Sequence, residues 1–246
     1  MGEFKHLSIM MGAVTETETL RETVYKLLNI CNTEDIKEII ISYADRTTPE
    51  THAVIQELLN LETTVPIVAF KQTRPFMGCI KDMIDFASGS HCILVASDMA
   101  LDLEPVAELI RKAKVDPETI HSLSRWKKGC RFDGYGKVRY ALNFLAQKFI
   151  AVLYMKNLTD FTIPVQIAPS PLYKSISFEE TGFPLLLEMV LKPLRLGYKF
   201  TEIPTNCYSR KEGKTSNSTL ETFSYLRVAL HIRFMRKKNI LFSEQE

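Results

Sequence analysis

The chain is 246 residues long, 46% hydrophobic and 24% charged, with a formal net charge of +2. Such a chain can bury a large core without disulfide or metal staples, and its balance is that of an ordinary soluble globular protein; the net charge argues neither for nor against nucleic acid, and no nucleic-acid partner is expected. The five cysteines (Cys31, Cys79, Cys92, Cys130, Cys207) are scattered with no C-x-x-C spacing, which excludes a disulfide framework or zinc site and suits a reducing, cytoplasmic setting.

The first two-thirds of the chain alternates between two periods. HLSIMM (6–11) reads as a buried strand, and TETETLRETVYKLLN as a helix with Leu20, Val24, Leu27 and Leu28 on one face. Thr15 and Glu18 have the spacing of a capping box for that helix. EIIIS (38–42) and THAVIQELLNL (51–61) repeat the strand–helix pair, as do VPIVAF (65–70) with IKDMIDFA (80–87) and CILVA (92–96) with PVAELIRKA (105–113). IHSLS (120–124) closes the series. This alternation predicts an α/β fold: a doubly wound, mostly parallel sheet with helices on both faces and a ligand crevice at the carboxyl ends of the strands.

Beyond residue 130 the pattern changes. GKVRYALNFLAQKFIAVLYMK reads as a long amphipathic helix with Val138, Leu142, Leu145, Phe149 and Val152 at helical spacing. FTIPVQIA (161–168) reads as a strand that Pro164 confines to an edge or bend. PLLLEMVLKPLRLG is a helix ending at Gly197, YKFTEIP (198–204) a strand, and TLETFSYLRVALHIRFMRKK a final helix. No run of ~18 apolar residues occurs, and the N-terminal stretch lacks the flanks of a secretory signal. No linker or repeat separates the two parts.

Chemistry-bearing residues gather where the predicted strands end. ILVASDMALDLEP (93–105) stops at Ala96-Ser97-Asp98 and restarts behind Asp102, which stands where a helix N-cap belongs. SIMMGAVTETETL carries Ala13 and Glu16; the latter suits a nucleotide hydroxyl or, equally, the first turn of its helix. Asp45, ahead of Pro49, reads as readily as a turn residue as a ligand contact. Arg74 lies in a basic loop that suits a phosphate but also solvent. SRWKKG (124–129) sets Arg125 beside Trp126, the only Trp, which suits a phosphate or sugar face or else plugs the end of the sheet. LTDFTIP holds Asp160 and Thr162, Glu188 stands alone among Leu and Met, and SRKEGKTSN places Arg210 and Thr215 around the flexible Gly213.

Taken in order, these motifs resemble the family-2 glycosyltransferases of GT-A fold, above all the polyprenyl- and dolichol-phosphate sugar synthases, from about Leu7 to the final helix. The resemblance implies one GT-A domain over 1–246, with a nucleotide-sugar half (1–126) and an acceptor half (127–246). It implies inverting transfer from a nucleotide-diphosphate sugar to a polyprenyl phosphate or a glycan or lipid acceptor, assisted by Mg²⁺ or Mn²⁺. Carried over, Asp98 is the metal ligand. Asp98, Glu188 and Asp160 are the catalytic candidates, and Ala13, Glu16, Arg74, Ser97, Asp98, Arg125, Trp126, Arg210 and Thr215 meet the donor. Ala96 stands at the first acid of the family's Asp-x-Asp, Ala100 at a frequent Gln and Gln166 at an Arg. A degenerate GT-A domain serving as a binding or scaffolding subunit is therefore the alternative. Another nucleotide-binding α/β enzyme has no support, since no glycine-rich phosphate loop occurs. The last helix, with Phe223, Leu226, Leu230 and Phe234 in a stripe beside basic residues, either packs on the domain or sets its basic tip at an anionic bilayer. A homo-oligomer is compatible with all of these readings.

Overall fold

The computed structural model describes residues 2–133, 136–209, 211–212 and 221–242. Its first part runs β1 (Leu7–Ala13), α1 (Glu18–Ile30), β2 (Ile36–Tyr43), α2 (Pro49–Leu59), β3 (Ile67–Lys71), α3 (Cys79–Phe86), β4 (His91–Leu94), α4 (Val106–Val115) and β5 (Ile120–Ser124). There follow α5 (Lys137–Tyr154), β6 (Gln166–Pro169), α6 (Ser170–Ser175), α7 (Leu185–Leu196), β7 (Phe200–Pro204) and α8 (Glu221–Phe234). The strands form one sheet in the order β3-β2-β1-β4-β6-β5-β7. Every pair is parallel except those made by β6, which enters antiparallel between β4 and β5. This is the mostly parallel, helix-covered sheet expected. The strand order reverses between β1 and β4, so the crevice of a doubly wound sheet falls at the ends of these two strands.

Continuous apolar runs such as Ile39-Ile40-Ile41 are explained by burial on both faces. Leu20, Val24 and Leu27 of α1, Val54 and Leu58 of α2 and Val106, Leu109 and Ile110 of α4 cover one face. Ile80 and Met83 of α3, Leu172 of α6 and Leu185 and Met189 of α7 cover the other. A third cluster sets Ile150 and Tyr154 of α5 and Val228, Ala229 and Ile232 of α8 against the outer side of α7. Helix α7 is thus enclosed all round, which suits a helix apolar on every side. Pro193 inside it removes the N–H that would bond the Met189 carbonyl, and the buried Tyr173 hydroxyl donates to that oxygen instead at 3.3 Å. Gly197 ends α7 at φ +103°, as expected. Gly89 is fixed by close approach: a Cβ there would lie 2.7 Å from the Ser8 backbone nitrogen.

Two local expectations are corrected, at the starts of α1 and α4, and three others are sharpened. Helix α1 starts at Glu18, and no Thr15 capping box forms; Thr17 is its N-cap and makes no side-chain cap bond. Asp102 does not cap α4, which begins after Pro105; it accepts from the Glu104 amide and faces Lys26. Pro164 falls at a bend just before β6, one of the two places expected for it, and β6 itself is interior. The stripe Val138, Leu142, Leu145, Phe149 and Val152 is the exposed side of α5, while Gln147, Ile150 and Tyr154 face inward. The same inversion holds in α8, where Leu230 and Phe234 are exposed and Val228, Ala229 and Ile232 pack. Among the described residues no helix is long and apolar enough to cross a membrane.

Candidate active site

The ends of β1 and β4 are tied across the switch point. Val95 N–H donates to the Met10 carbonyl at 2.9 Å, and the Ser97 hydroxyl donates to the Gly12 carbonyl at 2.6 Å. One residue further on, the buried Asp98 accepts a hydrogen bond from the Ala100 amide. Met99 between them has φ +53°, a left-handed conformation rare for a side chain of this size. Strain of this kind persists where surrounding structure holds it, and it clusters at functional sites. Phe76, in the loop after β3, is strained in the same sense at φ +50°, and the Arg46 guanidinium after β2 lies 5.6 Å from its ring centroid.

The extended segment following β7 closes this side of the crevice. The Tyr208 amide donates to the Ala100 carbonyl, the Asp102 amide to the Asn206 carbonyl, and the Thr205 hydroxyl to the Asp102 carbonyl. On its other side Cys207 exchanges backbone hydrogen bonds with Arg131 and Asp133. Residues 205–208 therefore stitch the loop after β4 to the loop after β5. Burial raises the Cys207 thiol pKa, against the nearby Arg125 charge. Burial likewise lifts the thiols of Cys79, to about 11, and of Cys31 and Cys92, to about 12. None of these four is a thiolate nucleophile at neutral pH.

After β5, Arg125 is held by a bidentate pair: Nε to Asp160 Oδ2 and Nη2 to Asp160 Oδ1, both 2.8 Å, with Nη2 also donating to Thr162 Oγ1. The Arg125 amide adds a further bond to Asp160. Asp160, fully buried, is thus the anchor of Arg125. Its own amide donates to Glu202, which also accepts from Thr159 and faces Lys127 at 3.3 Å. Trp126 packs against Phe132, Tyr140 and Phe144 with ring centroids 4.8–5.7 Å away, and its indole N–H is buried without a partner among the described residues.

The other expected residues lie as follows. Ala13 ends β1, and its carbonyl accepts from the Thr47 hydroxyl. Glu16 turns back to accept from the Val14 and Thr15 amides, shaping the turn after β1. Arg74 is paired with Asp82 and Asp85 of α3, whose charges raise its pKa against desolvation. Glu188 is buried in α7, 2.7 Å from Lys192, and its carboxylate accepts from the Glu179 and Glu180 amides. Arg210 and Thr215 lie outside the described residues. Gln166 is fully buried on β6, and neither its amide oxygen nor its nitrogen has a partner among the described residues. The geometry therefore unites Ala13, Ser97 and Asp98 at the switch point and joins Arg125, Trp126 and Asp160 beside it. Glu188 and Arg74 belong to ion pairs of their own.

Sequence reading missed Glu212. Its carboxylate accepts from the Thr17 amide and hydroxyl, the Glu18 amide and the Thr19 amide and hydroxyl, while neighbouring Lys211 pairs with Glu22 at 2.6 Å. Desolvation pushes its pKa up, but these hydrogen bonds hold the carboxyl down at about 2. It supplies the cap that Thr17 does not. The partners are nearly two hundred residues apart, so no local pattern could have revealed them.

Among the described residues no three His, Cys, Asp or Glu side chains converge as a metal cage. Magnesium-type ions need only one or two protein carboxylates when phosphates and waters complete the shell, so Asp98 beside a bound diphosphate fits that chemistry.

The model of the glycosyl transferase family 2 matches residues 8–182. Glucosyl-3-phosphoglycerate synthase from Mycobacterium tuberculosis in complex with uridine diphosphate superposes with a TM-score of 0.67 at 13% identity, covering 94% of this chain and 81% of that one. The same enzyme with Mn²⁺, UDP-glucose and phosphoglyceric acid gives 0.67 at 15% identity over 94% and 81%. Its complex with Mg²⁺ and uridine diphosphate gives 0.63 at 16% over 94% and 80%. No curated protein matches the sequence.

Proposed function

Because the chain belongs to glycosyl transferase family 2, we propose that it transfers a sugar from a nucleotide-diphosphate donor bound across the β1–β4 switch point. The observation that carries this reading is the position of Asp98, buried at that junction beside a strained Met99 and tied through Ser97 to the end of β1. The solved relatives of like fold bind uridine diphosphate with Mn²⁺ or Mg²⁺. In this chain Asp98 would hold such a cation, which would neutralise charge on the leaving diphosphate. Ala13 and Ser97 shape the floor of the donor site and Glu16 its rim. Arg125, held in one orientation by Asp160, is a preorganised guanidinium beside the donor site, its charge balanced by that carboxylate. Arg210 and Thr215 complete the donor contacts on the motif alone.

Transfer is inverting, by single displacement. Asp160 and Glu188 are already engaged by cations and amides, which favours an acceptor that arrives as an oxyanion, such as a polyprenyl phosphate, over a hydroxyl that needs a strong base. Such an acceptor would be met at the cytoplasmic face of a membrane, with the basic end of α8 as one contact. A second reading, a GT-A domain that binds donor without turnover, rests on Ala96 and on the unpartnered Gln166 amide where the family pattern has an Arg.

Titrating UDP- and GDP-sugars with Mn²⁺ against thermal stability, while following nucleotide release, tests both. Donor should raise the melting temperature, and Asp98→Ala should abolish the metal-dependent part. Stabilisation without turnover on any acceptor selects the second reading. No stabilisation by any donor rejects both.

A further inference from the structure

Helix α5 wears its apolar side outward. Val138, Leu145 and Val152 are 74%, 62% and 77% exposed, and Leu142, Phe149 and Met155 are exposed along the same helix. Its opposite side is fixed: Gln147 bonds the Phe161 amide and the Thr162 hydroxyl, and Ile150 and Tyr154 pack on α7 and α8. The outward stripe is therefore no misjudged core face, because a rotation to bury it would break those bonds. Apolar side chains repeated over an 18-residue helix, about 27 Å, form a patch rather than scattered exceptions.

Along α5 the charged residues have one sign, whereas beside α8 Glu179 and Glu180 pair with His231 and Arg227. From Gly134 to Thr159 the sequence holds no acidic residue, while Lys137, Lys148 and Lys156 are exposed on α5 and just beyond it. The end of α8 extends the surface: Arg233 donates to the Leu153 carbonyl, which sets the exposed Phe234 beside the C-terminus of α5. Arg236, Lys237 and Lys238 follow, all exposed. Apolar residues in the middle and lysines at the margins are the pattern of a helix lying in the interface of an anionic bilayer, with aliphatic stems snorkelling to the headgroups. On α5 itself a second copy would meet cations with no acid to answer them, since residues 134–159 hold none. With Lys137, Arg139 and Lys148 along it α5 is too charged to span a bilayer, and no helix among the described residues is long and apolar enough to cross a membrane.

We infer that the outer face of α5, continued by the end of α8, docks this protein on an anionic lipid surface. The stripe leads toward the crevice, because Tyr140 and Phe144 on the first half of α5 carry the ring contacts of Trp126. A membrane held against α5 therefore lies on the acceptor side of the molecule. The inference concerns where the protein sits and stands apart from what it transfers.

Co-sedimentation of the full chain with phosphatidylcholine vesicles, with and without phosphatidylserine, tests it. Binding should require phosphatidylserine and weaken as salt is raised. Leu145→Glu with Val152→Glu should reduce binding roughly tenfold or more, because two buried apolar side chains are lost and two like charges added. Val115→Glu, at an apolar residue 86% exposed on α4, should bind as the parent does. Lys148→Glu with Lys156→Glu tests the charge independently and should also weaken binding. Absence of vesicle binding overturns the inference, as does binding that ignores the α5 changes. So does a dimer in sedimentation velocity that Leu145→Glu with Val152→Glu dissolves, with no vesicle binding beside it.

Discussion

Helices α7 and α5 invert one another. The first hides two charges, Glu188 and Lys192, in a dry interior; the second shows its valines and leucines to solvent. In α7 the charges are tolerable because each is answered. Lys192 reaches Glu188 one turn away and the Ser177 carbonyl, and the remaining capacity of Glu188 is taken by two amides of the 179–180 turn. In α5 the apolar stripe has no answer among the described residues. The contrast teaches that polarity marks burial only when neighbours agree with it. A buried pair is a structural commitment, and an unanswered apolar stripe is a statement about surroundings.

The sharpest way to break the comparison is Lys192→Met. It strands a buried carboxylate and should cost about 3–5 kcal/mol in denaturant unfolding, whereas Glu188→Met with Lys192→Met should recover most of that loss. A mild single variant would mean that α7 is wetter than its burial implies. Tyr173→Phe comes next. It leaves the Met189 carbonyl, already deprived by Pro193, without its donor, at a cost of about 1–3 kcal/mol.

Glu212→Gln tests a helix answered from far along the chain. Its loss should be about 1 kcal/mol at neutral pH, the scale of an N-cap. The folded-state pKa lies below that of an ordinary glutamate, so the carboxylate's contribution is full above about pH 4.5 and is lost as pH falls toward 2. Parent and variant melting temperatures should converge over that window; a difference constant with pH would remove the carboxylate from the account. The smallest effect belongs to α5: Leu145→Gln and Val152→Gln should each change stability by no more than about 0.5 kcal/mol. A larger loss would show that the stripe is covered within the molecule.

Much of the fold was legible because strands buried on both faces and helices apolar on one side leave clean periods, as in Ile39–Ile41 and in Leu20, Val24 and Leu27. Asp98 was legible for a related reason: it follows an apolar run, and strand order makes that run's end a crevice. Periodicity finds a stripe but not the side of the molecule it faces, so only the structure shows that the stripes of α5 and α8 point outward. Short-range spacing misled at Thr15 and Asp102, where tertiary partners override local preference. Glu188 drew notice as a charge in an apolar helix, yet its neighbour Lys192, four residues on, was the better clue to its role. The clasp of Arg125 by Asp160 joins β5 to the segment after α5, and only the assembled sheet brings the two together.

The antiparallel strand β6 has a consequence for how the molecule is made. Among the described residues β5 pairs with β6 and β7, and β4 with β1 and β6. As the chain leaves the ribosome, β1 to β4 can pair as they appear, but β5 must wait more than forty residues for its first neighbour. During that interval α5, already complete, has neither α7 nor α8 to hold its inner face. The nascent protein thus passes through a stage with both sides of α5 bare. Chains interrupted before residue 166 should keep the β1–β4 part ordered while the part from β5 onward stays open to misassembly.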